Sequence, residues 1–104
     1  MNILPVLPRL INSKNVPPRV RESFRKAEES NSREQDLWRV LAAIAVLDAC
    51  GETIAIRKPE DKAETIEEAI KWFHEGENTQ LVLDLAGVDP DIVIEVMRKE
   101  FPLK

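Results

Sequence analysis

Val40-Leu41-Ala42-Ala43-Ile44-Ala45-Val46-Leu47 is apolar at all eight positions. A helix with no polar side is one surrounded by other elements, and the run is far short of the ~20 residues that cross a bilayer. It therefore marks the central core helix of a globular domain. Upstream, Ser32 with Gln35, or Asn31 with Glu34, forms a capping box: the short side chain accepts from an orphan N–H and the longer one reaches back. Downstream, Gly51 supplies the left-handed residue that ends a helix. The spacing predicts a helix over about 32–50.

Other helices are arranged around it. Pro18 suits a first-turn position, and Val20, Phe24 and Ala27 fall at i, i+4 and i+7, which predicts a short helix over about 18–30. Pro59 or Asp61 opens another, with Asp61 and Glu64 as a cap pair; Ile66, Ala69, Ile70 and Phe73 face inward, Glu64, Glu67, Glu68 and Lys71 face water, and Gly76 ends it. Asn78 or Thr79 caps a short helix stopped by Gly87. Asp89 as N-cap, with Pro90 in the first turn, then starts a last helix running to about Glu100, with Val93, Val96, Met97 and Phe101 inward. Thr53-Ile54-Ala55-Ile56 alternates weakly as a short extended segment without a partner strand. The expectation is an all-α domain of four to five helices over residues 19–104.

Residues 1–18 hold four of the seven prolines: Pro5, Pro8, Pro17 and Pro18. Each fixes its own φ and biases the preceding residue toward extended geometry, so this segment reads as an extended arm. Its start has no basic n-region, and Pro5, Pro8 and Arg9 break its apolar character, so it reads as neither a signal peptide nor a membrane span. With the lone Cys50, which excludes an internal disulfide, a cytoplasmic protein is expected.

Parts for catalysis are missing. Cys50 and the only histidine, His74, lie 24 residues apart with no pattern that orients them as nucleophile and base, so a buried structural thiol and an exposed histidine at a helix carboxy-terminus are expected. One His and one Cys do not make a closed zinc site, and Asp84, Asp89 and Asp91 lack the calcium-loop spacing. Gly51, Gly76 and Gly87 stand singly at helix ends, so there is no phosphate loop. A non-enzyme with no metal and no cofactor is expected.

Charge is divided along the chain. The formal net charge is −4, yet residues 1–26 carry Arg9, Lys14, Arg19, Arg21, Arg25 and Lys26 against Glu22, a net +5, which leaves −9 for residues 27–104. The arm mixes that charge with Ile3, Leu4, Val6, Leu7, Leu10 and Ile11. Phosphate tracking does not need such residues, so Ile3, Leu4, Val6, Leu7, Arg9, Leu10 and Ile11 are expected to meet a protein partner or a second copy of the chain, the plainer alternative being that the arm packs back on its own domain. The alternative is a DNA-binding regulator: residues 78–101 have the helix, glycine-bearing turn and helix of the helix-turn-helix motif, with Arg19, Arg21, Arg25 and Lys26 available for phosphates. Against it, the reading helix would begin Asp89-Pro90-Asp91 with Glu95 one turn on, carboxylates where base edges and phosphates would lie.

Three further elements carry a resemblance. Leu37-Trp38-Arg39-Val40-Leu41 continued by Leu47-Asp48-Ala49, then Ala69-Ile70-Lys71-Trp72-Phe73, then Leu85-Ala86-Gly87-Val88-Asp89-Pro90-Asp91-Ile92-Val93, resemble a group of small helical proteins encoded by phages and prophages. The resemblance covers roughly residues 37–98 and implies a phage-derived accessory protein. Relatives place basic residues early in the last helix, whereas here Ile94 and Glu95 follow Val93. The group brings no activity to transfer.

Overall fold

The computed structural model describes residues 6–28, 33–52 and 59–103. They form six helices: α1 (Val6–Asn12), α2 (Pro18–Ala27), α3 (Arg33–Ala49), α4 (Pro59–Glu75), α5 (Thr79–Leu85) and α6 (Pro90–Glu100). No strand occurs among the described residues, so the chain is all-α. The helix beyond the expected four to five is α1.

The extended arm is thereby corrected over residues 6–12. Pro8 is the third residue of α1, inside the first turn, where a backbone N–H has no intrahelical partner to lose. Pro8 thus belongs to the start of a helix here. Val6 and Leu10, at i and i+4, are buried, and α1 packs on α2 and α3. The Cα radius of gyration, 12.7 Å, is that of a compact domain of this length, about 13 Å.

Packing follows two hubs. Helix α3 lies against α1, α4 and α5, and α6 lies against α2, α4 and α5. Leu10, Val20, Phe24, Ala42, Ala43, Val46, Leu47, Phe73, Leu83, Val93 and Met97 form the core between them. The inward residues expected of α2, namely Val20, Phe24 and Ala27, are buried. In α6, Val93, Val96 and Met97 are buried, while Phe101 is the half-buried C-cap. No described helix is long and apolar enough to cross a membrane.

Local signals set most of the ends. At Gly51 (φ +85°), Gly51 N–H donates to Asp48 and Glu52 N–H to Leu47, the paired bonds that close a helix through a left-handed residue. Gly87 (φ +80°) repeats the arrangement, with Gly87 N–H on Asp84 and Val88 N–H on Leu83. Asp89 caps α6, its carboxylate accepting from Ile92 N–H at 3.2 Å.

Several expectations are refined. Helix α4 begins at Pro59, which places Asp61 and Glu64 inside it and removes them as a cap pair. Asn78 occupies the N-cap of α5 without a side-chain cap bond; its Oδ1 accepts from Trp72 Nε1 at 3.2 Å. His74 is half-buried rather than exposed, its Nε2 lying 2.7 Å from the Phe101 carbonyl. Residues Asn31 and Ser32 of the capping box, the Thr53–Ile56 segment, and Ile3 and Leu4 lie outside the described residues.

Candidate binding surface

Helix α3 has two contrasting faces. On the inward one, Arg39, Ala42, Ala43 and Val46 fall at i, i+3, i+4 and i+7, the positions that face a core. Arg39 is buried there, 1% exposed. Its Nε donates to the Ala86 carbonyl at 3.2 Å, its Nη1 meets Asp36 Oδ1 at 2.7 Å, and its Nη2 has no hydrogen-bond partner. Because Ala86 is the C-cap of α5, the guanidinium binds a carbonyl at the negative end of that helix and ties the α5–α6 hairpin to α3. The sequence does hold a signal for this role: a single cation in phase with the buried face.

The outward face differs from the expected surrounded helix. Leu37 is 59% and Leu41 48% exposed, whereas Ile44, one turn on, is partly buried and packs one side against the core. Positions 34, 37, 41, 44 and 48 lie within roughly 80° of one another on a 3.6-residue helix, so Glu34, Leu37, Leu41, Ile44 and Asp48 share a face. Three aliphatics in line are thus bracketed by an acid at each end. Partial burial pushes the Asp48 carboxyl above its ordinary value. Helix α5, packed on α3, exposes Leu81 and Leu85 as well.

Of the partner-binding residues expected in the arm, the structure removes most. Val6 and Leu10 are in the core, Leu7 and Ile11 pack against it half-buried, and Arg9 alone of the described ones is exposed. Seven residues of helix gain intrahelical hydrogen bonds and bury apolar side chains on α2 and α3.

The nucleic-acid alternative is brought together in part. Arg19, Ser23 and Lys26 of α2 line a groove of about 540 Å³ with Gly87, Asp89 and Ile92 at the hairpin turn. Arg19, Arg25 and Lys26 are exposed, whereas Arg21 is half-buried, with its Nε enclosed and lacking a hydrogen-bond partner. Arg25 binds Glu22 through Nε at 3.0 Å and Nη2 at 2.5 Å, and that hydrogen bond, with the charges of Arg25 and Lys26, holds the Glu22 carboxyl below its ordinary value. On α6, Asp91 and Glu95 are exposed. Arg98 spends its guanidinium on the Phe73 and His74 carbonyls, at 2.8 and 3.3 Å, at the end of α4.

Cys50 is partly buried, and burial with the nearby Glu52 charge pushes its thiol up to about 12. A group so rarely ionised is a poor nucleophile.

The residues behind the phage-protein resemblance do structural work. Arg39 ties α3 to the hairpin, Trp72 and Phe73 meet edge-on at 5.0 Å, and Gly87, Asp89 and Pro90 make the turn into α6. No family model, curated protein or solved structure matches the chain.

Proposed function

We propose that the protein works without catalysis, as a binding module that receives a protein partner on the outward face of α3. The observation that carries this reading is the exposure of Leu37 and Leu41, 59% and 48%, in a chain that buries Leu10 and Leu47 completely. Single exposed leucines are ordinary, but an aliphatic row along one helix is the pattern of a contact surface. The route differs from the arm-mediated contact expected from the sequence, because Val6 and Leu10 belong to the core. A phage-derived accessory role is compatible with such a module, although the resembling group supplies no activity to carry over. Affinity purification of the tagged full chain, compared with the double substitution Leu37→Ser and Leu41→Ser and with Arg19→Gln and Lys26→Gln, tests the reading. Copurifying protein should be lost with the α3 pair and kept with the α2 pair; the reverse result rejects it.

A second reading, DNA binding through α5 and α6, is favoured by the groove that sets Arg19 and Lys26 beside the hairpin turn. Asp91 and Glu95 on the exposed side of α6 count against groove insertion. Duplex binding at ~50 mM salt, weakening by about one unit of logarithmic salt slope for each phosphate-contacting charge removed, is its test. No binding under those conditions ends it.

A further inference from the structure

Building on the proposed role of α3, we infer that its outward face accepts a short amphipathic helix that carries basic residues at both ends of an aliphatic stripe. Three observations lead there. The row runs Glu34, Leu37, Leu41, Ile44, Asp48, with acids at both ends and, among the described side chains, no cation within it. At 1.5 Å per residue the acids stand about 21 Å apart, which is the length of roughly four helical turns. The apolar part is three side chains long, whereas a stable interface between globular domains takes about 20–30 residues a side. A surface that narrow suits one helix laid along another, with anchors at i, i+4 and i+7.

Charge decides between a foreign helix and a second copy. Two copies paired through this face in antiparallel fashion would bring Glu34 of one against Asp48 of the other. Parallel pairing would set Glu34 on Glu34 and Asp48 on Asp48. Both arrangements place like charges at the rim, where they oppose association. A partner with Lys or Arg spaced about 21 Å apart meets an acid at each end while its aliphatic residues cover Leu37, Leu41 and Ile44. The net charge of −4 favours the same partner, since a negative molecule attracts basic segments.

The test uses the full chain and two stapled helical peptides of about 18 residues with the same Leu, Leu, Ile stripe. One has a lysine pair at each end and the other a glutamate pair. Fluorescence anisotropy should show the lysine peptide binding about tenfold or more tighter than the glutamate peptide, with the difference shrinking as salt rises. Glu34→Gln combined with Asp48→Asn should erase that preference. Leu37→Ser combined with Leu41→Ser should abolish binding of both, with circular dichroism showing each variant folded. Equal binding of the two peptides, or an unchanged preference after the acids are removed, overturns the charge assignment and leaves the apolar site standing. Lysine-peptide binding that survives the leucine substitutions shows that the peptide sits elsewhere, and this overturns the site as well. Binding of neither peptide overturns the inference, and the purification comparison above then decides the proposed function alone. A dimer in sedimentation equilibrium that dissolves on Leu37→Ser and Leu41→Ser assigns the face to a second copy and also overturns the inference.

Discussion

Truncating two leucines separates core from contact surface. Leu10 on α1 is 0% exposed and Leu37 on α3 is 59% exposed. Leu10→Ala removes buried methyl groups and leaves a cavity lined by α2 and α3, a change that costs about 2–5 kcal/mol. At Leu37 water fills the vacated space, so no cavity term arises. Only about two-fifths of a ~1.5–3 kcal/mol burial term is at stake, and the higher helix propensity of alanine offsets part of it. The expected loss there is below about 1 kcal/mol. Urea denaturation followed by circular dichroism should lower the Leu10→Ala midpoint by roughly 1 M or more, given a slope near 1–2 kcal/mol/M. Leu37→Ala should shift it by a fraction of that. Equal shifts would refute the reasoning: two small ones would free α1 from the core, and two large ones would put the α3 row inside it.

Other outcomes follow from single sites. Gly87→Ala should cost about 1–2 kcal/mol in thermal denaturation because of φ +80°, since the added Cβ meets nothing nearer than 3.6 Å; D-alanine introduced by chemical synthesis should recover the loss. Gly76→Ala should fail for the opposite reason, because its Cβ would lie 2.5 Å from the Trp72 carbonyl and displace the Thr79 hydroxyl that donates to it at 2.7 Å; D-alanine recovery specific to Gly87 is the check. Cys50 should react with iodoacetamide at pH 8 about a thousandfold more slowly folded than unfolded, as raising the thiol from 9.0 to about 12 cuts the thiolate by that factor; comparable rates contradict it. The raised Asp48 carboxyl favours the neutral form in the folded state, so its contribution is full below the ordinary value of 3.8 and is lost as pH rises through the folded one. Asp48→Asn should therefore raise the melting temperature at pH 7, with the gain vanishing toward pH 3.

What could be read from the sequence was local. Asp89 and Pro90 start α6, Gly51 and Gly87 take left-handed conformations, and Val20, Phe24 and Ala27 face inward, because each depends on residues within a turn or two. Helix α1 was hidden because Pro8 acts oppositely according to whether it falls in the first turn or later, and only packing on α2 and α3 fixes that register. The phase of Arg39 marks it as inward-facing, but its partner was hidden because the carbonyl it reaches is 47 residues away. The open side of α3 was hidden because eight apolar residues in a row imply neighbours on every side, yet Leu41 within that run is 48% exposed. The sequence cannot state which side of an all-apolar helix remains open.

Photo-crosslinking in cells expressing the protein tests the central claim most directly, with a benzophenone side chain placed in turn at positions 37, 41, 19 and 26. The account predicts protein adducts from 37 and 41, at a mass that does not correspond to a second copy, and little from 19 or 26. Adducts confined to 19 and 26, or none from the α3 positions, would contradict it.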